Sequence, residues 1–232
     1  MSPRVPRSDH ATDHPAPSRH IRTYQGRAGR VRTGQAEAHH RWGPTLGLEV
    51  DGQPLDLQDV FGRSAPVALE VGFGMGEATV AMAAAQPDVD LLAVDVHVPG
   101  QGSLLRALAE ARITHVRVAR GDGVVLLRDM LAPGSLDHVR IYYPDPWPKR
   151  RHHKRRLVRP EVVDLLADRL ASGGYVHVVT DWPHYAEQAR ALLGRHPSLR
   201  LTPHAPWRAV TGYERRGLAA GRPPQEVVAT RR

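Results

Sequence analysis

The chain has 232 residues, a formal net charge of +8 and no cysteine. This length suits one domain, or one domain with a tail, and is sufficient to bury a hydrophobic core. Without cysteine the chain can form no disulfide, thiolate zinc site or cysteine-ligated iron–sulfur cluster, and it has no cysteine nucleophile. The positive charge, with an isoelectric point near 10.5, favours a polyanionic partner.

The first 20 residues are predicted to form a disordered tail. They contain four prolines and few aliphatic side chains, too little apolar surface to offset the entropy of ordering. The sequence shows neither the apolar stretch of a signal peptide nor a run of about 18 apolar residues, so we expect a soluble, cytoplasmic protein without membrane contact. Residues 21–65 are predicted to be an N-terminal extension, and residues 66–232 the main domain.

From residue 66 onward, short apolar runs alternate with helical patterns. Strands are predicted over residues 66–71, 89–96, 115–119, 136–143 and 175–180. Helices are predicted over residues 76–86, 102–112, 123–131, 160–170 and 182–193, and Ser172-Gly-Gly174 is expected to end the fourth of them. This alternation predicts a doubly wound, mostly parallel α/β sheet. In such sheets ligands bind at the carboxyl ends of the strands.

The first predicted strand runs into a glycine-rich loop containing Gly72, Gly74 and Gly76. Glycines at alternate positions permit a tight turn and a close approach of the backbone to a ligand. The spacing G-x-G-x-G differs from the G-x-G-x-x-G that binds a dinucleotide pyrophosphate. By itself the loop is a weak signal, because a plain strand–helix turn can have the same sequence.

Acidic residues stand at the ends of four successive strands: Glu70, Asp95, Asp122 and Asp145. Asp95 lies 19 residues after Gly76, the usual distance for an acid that binds ribose hydroxyls. Capping of the next helix is an alternative role for each of these acids, and for Asp122 this alternative is as good as the functional one. Together they predict an acidic crevice for a ligand with a positive charge, a ribose and a base. S-adenosylmethionine fits this description better than NAD, whose pyrophosphate needs hydrogen-bond donors.

Residues 144–156 read PDPWPKRRHHKRR and are the most specific stretch of the chain. Pro146 and Pro148 favour extended conformations at Asp145 and Trp147, so the segment predicts a stiff arm that presents the Asp145 carboxylate. Residues 149–159 carry a net charge of +7, residues 1–41 carry +5 and residues 207–232 carry +4, so the rest of the chain is acidic. These basic segments are candidates for contact with a polyanion, although such runs are often solvated faces.

With these motifs the chain resembles the bacterial tRNA (guanine-N7)-methyltransferases, which methylate the guanine at position 46 in the variable region of tRNA. The resemblance runs from about Arg22 to Gly217. It rests on residues 70–76 (EVGFGMG), residues 144–156, Thr180-Asp181 and residues 211–217 (TGYERRG). It implies a class I methyltransferase fold: a single domain with a doubly wound, mostly parallel sheet of seven strands and a basic N-terminal tail, with the extension 21–65 on the RNA side.

The resemblance also implies roles for individual residues. Contacts to S-adenosylmethionine are implied for Glu70, Gly72, Gly74, Gly76, Asp95, Asp122 and Asp145, and Asp145 is implied to be catalytic. Substrate contacts are implied for Lys149, Asp181, Thr211, Gly212, Tyr213 and Glu214. Contacts to tRNA are implied for Arg151, His152, His153, Lys154, Arg155 and Arg156. At Asp95 the sequence departs from the family, which usually has Glu there.

The chemistry of guanine N7 sets what such a site needs. N7 carries an exposed lone pair and no proton, so a direct in-line attack on a sulfonium methyl needs no general base. Acceleration then comes from alignment and from negative charge beside the purine, a task we assign to Asp145. Asp181 or Glu214 are candidate acceptors for the guanine N–H groups. The base must leave its stack, and Trp147 or Tyr213 is a candidate partner for stacking on it.

Three other classes of protein compete with this interpretation. Methyltransferases acting on exocyclic amines usually carry Asn/Asp-Pro-Pro-aromatic, an order that residues 145–148 do not match. An NAD-linked oxidoreductase is disfavoured by the glycine spacing and by the number of acids. A non-catalytic RNA-binding module would not bind the cofactor, which calorimetry would reveal.

The histidines and the missing cysteine bear on whether the protein uses a metal or a covalent intermediate. His39-His40 and His152-His153 are adjacent pairs, without the i, i+4 spacing and third ligand of a metal site, so no metal is expected. Methylation of pyrimidine carbon 5 commonly uses a cysteine adduct, whereas a ring nitrogen with a free lone pair can be methylated without a covalent enzyme–substrate intermediate. Monomer and homodimer are both compatible with the sequence.

Overall fold

The computed structural model describes residues 23, 24 and 31–232, so the tail predicted for residues 1–20 lies outside the described residues. The strands in the described part of the chain are β1 Gly47–Glu49, β2 Val67–Val71, β3 Asp90–Asp95, β4 Val116–Arg120, β5 Leu136–Tyr142, β6 Leu170–Thr180, β7 Leu199–Thr202 and β8 Gln225–Arg231. The α-helices there are α1 Thr33–Leu46, α2 Leu57–Phe61, α3 Glu77–Ala85, α4 Val98–Glu110, α5 Gly123–Val125, α6 Pro160–Arg169, α7 Pro183–Arg195 and α8 Gly212–Ala219. A π-helical turn, Leu126–Met130, continues α5, and Arg150–Arg155 form a 3₁₀ helix. None of these helices is long and apolar enough to cross a membrane.

All the strands join in one sheet, in the order β1-β4-β3-β2-β5-β6-β8-β7. Neighbours from β1 to β6 are parallel, and β8 is antiparallel to both β6 and β7. The order reverses between β2 and β5, which is the switch point where a doubly wound sheet opens a crevice. The prediction of a doubly wound, mostly parallel α/β fold is confirmed.

The predicted number of seven strands is wrong, because the described sheet has eight. The N-terminal extension contributes β1, whose Gly47, Leu48 and Glu49 align with Val118, Ala119 and Arg120 of β4. A strand of three residues with one strongly apolar side chain has no recognisable periodicity in the sequence. It forms because the edge of β4 offers unpaired backbone groups and because α1, directly before it, packs on α4.

The core lies on both faces of the sheet. In β3, Leu92 and Val94 belong to one hydrophobic cluster, whereas Leu91 and Ala93 belong to another. The first cluster is completed by α6 and α7 and the second by α1 and α4. Alternate side chains point to opposite faces of a strand, and a parallel sheet covered on both faces therefore reads as a continuous apolar run.

Two element boundaries differ from the predicted ones for physical reasons. Helix α4 begins at Val98, four residues before the predicted start, and its first turns contain Gly100 and Gly102. These glycines serve close packing: a Cβ on Gly102 would lie 2.6 Å from the Gln35 carbonyl oxygen. Strand β6 begins at Leu170, and its Gly173, at φ +80°, lies in an irregular stretch opposite residues 136–138. The Ser-Gly-Gly segment is therefore part of a strand with a bulge.

Candidate active site

A cavity of about 440 Å³ opens at the carboxyl ends of the central strands. We call it the central cavity. The glycine loop after β2, the ends of β3, β4 and β5, and Tyr213 of α8 form its walls, with Thr23 and Tyr24 at its edge. Five of the seven predicted cofactor residues line it, namely Gly72, Gly74, Asp95, Asp122 and Asp145, whereas Glu70 and Gly76 do not.

The glycine loop has a conformation that other residues rarely adopt. Gly72, Gly74 and Gly76 have φ values of +86°, +61° and +85°. A Cβ on Gly76 would lie 2.8 Å from Leu104 of α4, and a Cβ on Gly100 would overlap the Gly74 carbonyl oxygen. The loop is thus held against the start of α4, with its backbone directed along the cavity wall.

Asp95 joins the glycine loop to the end of β3. Its carboxylate accepts hydrogen bonds from the backbone N–H groups of Gly74 and His97, both at 2.9 Å. Burial raises the pKa of Asp95, and the backbone donors oppose this shift. The shorter acid found here in place of the family's usual Glu therefore fixes the loop while lining the cavity.

Glu70, in β2 directly before the loop, is only 3% exposed. Burial raises the pKa of its carboxyl group to about 7, although Arg140 and Thr79 nearby lower it. Its Oε2 atom has no hydrogen-bond partner within the described residues. Glu70 is therefore an interior residue of β2 and does not line the central cavity.

Asp122 satisfies both interpretations of a strand-end acid. It is the N-cap of α5, where its carboxylate accepts a hydrogen bond from the Val124 N–H at 2.8 Å, and it also lines the central cavity. Capping fixes the direction of the side chain. The cavity therefore has acids from three strand ends: Asp95, Asp122 and Asp145.

The Pro-Asp-Pro-Trp-Pro loop (residues 144–148) is anchored on both sides of Asp145. Tyr143, directly before it, has φ +50° and donates its backbone N–H to the Val179 carbonyl at 2.7 Å. Trp147 has φ +44°, so the extended conformation predicted for it is wrong. It is buried and donates its indole N–H to the Thr23 carbonyl at 3.2 Å. Trp147 thus packs behind the loop, and of the two aromatic residues proposed to stack on the base only Tyr213 lines the cavity.

Arg156, one of the predicted RNA contacts, is in the interior and only 2% exposed. Its guanidinium donates to the Pro146 carbonyl at 2.9 Å and to the Gln188 side chain at 2.6 Å, and it lies 4.8 Å from the Tyr185 ring centroid. His153 and His184 nitrogens lie at 3.2 Å. Arg156 therefore ties the Pro-Asp-Pro-Trp-Pro loop to α7 and does not offer its charge to solvent.

The other cations of this segment lie on the surface. We use the name basic rim for four of the exposed cations, Lys149, Arg151, Lys154 and Arg155; Arg150 between them is exposed as well. His152 and His153, between them, are half-buried. Burial and the neighbouring cations lower the pKa of both histidines.

The predicted substrate residues on α8 have structural partners. The Thr211 hydroxyl caps α8 by accepting the Glu214 N–H at 3.0 Å. The Glu214 carboxylate is buried and receives both terminal nitrogens of Arg208. Asp181 pairs with Arg222 at 2.8 Å. Of the six predicted substrate residues, Tyr213 is the one that lines the central cavity, while Gly212 lies beside it at the start of α8.

Several lining residues were not predicted from the sequence. Tyr142 ends β5 and Tyr143 directly follows it, while His97 follows β3 and Leu157 follows the basic segment. For Tyr143 a signal existed, since it directly precedes the Pro-Asp-Pro-Trp-Pro loop at a strand end. Across residues 23, 24 and 31–232, no group of three or more His, Asp or Glu side chains is close enough to hold a metal ion.

A comparison with solved structures identifies the class of fold. TrmN from Thermus thermophilus superposes with a TM-score of 0.53 at 20% identity, over 76% of this chain and 47% of that one. This likeness, with the sheet order and the cavity at the strand ends, defines the class I methyltransferase fold. The methyltransferase family model Methyltransf_4 matches residues 64–227.

Two similar sequences identify the family. The tRNA (guanine-N(7)-)-methyltransferase of Streptomyces avermitilis is 50% identical over 94% of this chain and 77% of its own length. That of Streptomyces coelicolor is 49% identical over 94% of this chain and 83% of its own length. The chain belongs to the tRNA (guanine-N(7)-)-methyltransferase family, which confirms the resemblance found in the sequence.

Proposed function

We propose that this protein transfers a methyl group from S-adenosylmethionine to N7 of a guanine in tRNA, and that the guanine is the one at position 46 in the variable region. The observation that carries the proposal is the convergence of Asp95, Asp122 and Asp145 with the glycine loop on one cavity. Family membership supports the reaction. Position 46 is our finer inference, and it rests on the sequence resemblance.

The lining of the central cavity suits this cofactor. Its carboxylates favour a ligand with positive charge and hydroxyl groups, and they disfavour a phosphate. Asp95, fixed by two backbone N–H groups, is the candidate for the ribose hydroxyls. Gly72 and Gly74 let the backbone approach the ligand, and Asp122 is a further acceptor on the facing wall.

The residues of the chain supply charge and alignment to the reaction. When bound, the cofactor offers a sulfonium methyl group that N7 attacks in line, so that no proton has to be removed. Asp145 holds negative charge beside the purine, whose ring becomes more positive as N7 is alkylated. The stiff Pro-Asp-Pro-Trp-Pro loop is anchored by Arg156 and Trp147, and it therefore restricts movement of that carboxylate away from the purine.

The surface around the cavity suits an RNA backbone. The basic rim follows the Pro-Asp-Pro-Trp-Pro loop directly in the chain, so phosphates bound there are held next to Asp145. We assign the phosphate contacts to Lys149, Arg151, Lys154 and Arg155. Because tRNA is the proposed substrate, we also propose that the protein works in the cytoplasm.

The test is direct. Purified protein is incubated with labelled S-adenosylmethionine and unmodified tRNA, the tRNA is digested, and the nucleosides are separated. We expect labelled 7-methylguanosine, with the label mapping to position 46. Label in another nucleoside would contradict N7 chemistry, and 7-methylguanosine at another position would contradict the finer inference alone.

A further inference from the structure

Two tyrosine rings stand parallel at the wall of the central cavity. The ring centroids of Tyr143 and Tyr213 are 6.4 Å apart, and the ring planes differ by 17°. Both side chains line the cavity together with Asp145, which follows Tyr143 by two residues. The sequence motifs assign no role to Tyr143.

The centroids of Tyr143 and Tyr213 lie towards the long end of the range of about 4.5–7 Å for paired rings. The rings of His138 and Tyr175, on adjacent strands, stack more closely, with centroids 4.9 Å apart and planes within 6°. A nucleobase occupies about 3.4 Å along a stack, so a base between two rings needs their planes about 6.8 Å apart. Because the planes of Tyr143 and Tyr213 are at most 6.4 Å apart, the exposed Tyr213 has to move outward to admit a base.

The Tyr143 side of this pair is fixed by the backbone. A φ of +50° is unfavourable for a bulky residue, and such conformations persist where the surroundings determine them, often at ligand sites. The Tyr143 N–H is held by the Val179 carbonyl of β6 at 2.7 Å. The ring is therefore held at the end of β5, and its position is linked to that of the Pro-Asp-Pro-Trp-Pro loop.

The Tyr213 side is fixed by α8. Thr211 caps this helix, and Arg215 pairs with Glu77 of α3 at 2.7 Å. The Tyr213 ring lies against the glycine loop, where a Cβ on Gly74 would be 3.6 Å from its Cε2 atom. The Arg216 guanidinium lies 4.7 Å from its centroid, and Tyr213 as a whole is 42% exposed.

We propose that Tyr143 and Tyr213 form an aromatic slot that receives the target guanine, with Tyr143 as a substrate-positioning residue of this enzyme. The inference rests on the proposed function and goes beyond it by naming how the extruded base is held. Stacking between two rings fixes the plane of the purine, and the neighbouring Asp145 then lies at the edge of the same wall. A base inserted there replaces the stacking partners it loses in the tRNA.

The first test measures steady-state kinetics of Tyr143→Leu, Tyr213→Leu and Tyr143→Phe. Each leucine variant loses one aromatic face, so kcat/KM for tRNA should fall about tenfold or more, while the dissociation constant for S-adenosylmethionine stays within about twofold. Tyr143→Phe keeps the ring and should retain activity within about threefold. Tyr175→Leu is the matched control, because it removes a ring from the stacked pair outside the cavity, and its kcat/KM should stay near that of the wild type.

The second test uses tRNA with fluorescent 2-aminopurine at the methylated position, bound in the presence of S-adenosylhomocysteine. In the wild type the extruded base should stay quenched by the two rings, and in both leucine variants its emission should rise severalfold. Equal emission from all three proteins, or cofactor affinity that falls as much as kcat/KM for tRNA, would overturn the slot. If the wild type forms no 7-methylguanosine, the proposed function fails first. If it does and the leucine variants keep full kcat/KM, only the slot fails.

Discussion

At the scale of single residues, Arg156 belongs to a basic surface motif, but its side chain lies in the interior of the protein. It is the sixth cation of the basic segment, yet its guanidinium is surrounded by a carbonyl, a glutamine, two histidines and a tyrosine ring. The hydrogen bond to the Pro146 carbonyl acts next to Asp145. The sequence shows a run of cations but does not show which of them is buried. The buried one is determined by contacts with α7, and residues 149–159 give no indication of these contacts.

Replacing Arg156 with Met should therefore affect stability and catalysis more than RNA binding. The substitution leaves the half-buried Pro146 and Gln188 oxygens without this donor and removes a buried guanidinium, so we expect the free energy of unfolding to fall by about 2 kcal/mol. Denaturant unfolding and single-turnover methyl transfer measure the two effects. The salt slope of tRNA binding should not change.

Arg155→Met is the matched control for Arg156→Met. Arg155 is exposed and its guanidinium lies 5.0 Å from the Trp147 ring centroid, so this variant should lose no more than about 1 kcal/mol of stability and lower the salt slope by about one. A lowered salt slope with unchanged stability in Arg156→Met would contradict the structural role.

Glu70 gives a prediction about pH. Its pKa of about 7 in the folded protein lies above the ordinary value of 4.5, so the folded state retains a proton that the unfolded chain has lost between these values. Stability from this residue is therefore present at low pH and is lost as the pH rises towards 7. Relative to the wild type, Glu70→Gln should gain about 3 kcal/mol between pH 5 and pH 8, because the amide never ionises.

Denaturant titrations of both proteins at the two pH values measure this gain. The buried His138, whose pKa burial lowers to about 3, contributes in the opposite direction, but equally in both proteins, so the difference isolates Glu70. A gap between the two proteins that does not vary with pH would show that Glu70 titrates normally.

At the scale of elements, apolar runs and helical patterns predicted most of the structure around the site. The strands β2 to β5 lie within one or two residues of their predicted bounds, since their side chains are buried on both faces and little else disturbs the pattern. The failures occur where tertiary contacts override local signals. The early start of α4 depends on the fit of Gly100 to the loop, and β1 depends on the free edge of β4. The Tyr143–Tyr213 pair joins elements about 70 residues apart.

The contact between α4 and the glycine loop predicts the effect of a single methyl group. In Gly100→Ala the new Cβ would overlap the Gly74 carbonyl oxygen, and both atoms belong to the backbone, so no rotamer change relieves the contact. We expect a loss of about 3 kcal/mol in the free energy of unfolding and a weaker affinity for S-adenosylmethionine.

The control for this substitution is Gly34→Ala in α1, where a Cβ meets only the flexible end of Arg106 at 3.9 Å. Helix propensity makes that variant neutral or more stable. Calorimetry and thermal unfolding compare the two. Equal stability and cofactor affinity in Gly100→Ala and Gly34→Ala would contradict the packing of the loop.

At the scale of the whole molecule, the charge of +8 separates into two regions with different partners. The central cavity is lined by Asp95, Asp122 and Asp145, and the basic rim is exposed beside it. Sequence patterns located both regions, since acids at strand ends and a cationic run are local features. How close they lie to each other follows from the short Pro-Asp-Pro-Trp-Pro loop.

This separation predicts that RNA binding and cofactor binding respond independently. Replacing Arg151, Lys154 and Arg155 together with Ala should weaken tRNA binding and reduce the slope of log K against log salt by about 2, while S-adenosylmethionine affinity is unchanged. Filter binding over a range of salt concentrations and calorimetry measure the two. An unchanged slope would mean that these side chains form only a solvated surface.

The central claim is that the Asp145 carboxylate accelerates methyl transfer to guanine N7 from within the acidic cavity. The most direct measurement is the single-turnover rate of 7-methylguanosine formation by Asp145→Asn, with tRNA and labelled S-adenosylmethionine both saturating. The account predicts a rate at least about 100-fold below that of the wild type, with tRNA binding preserved. A rate close to that of the wild type would contradict it.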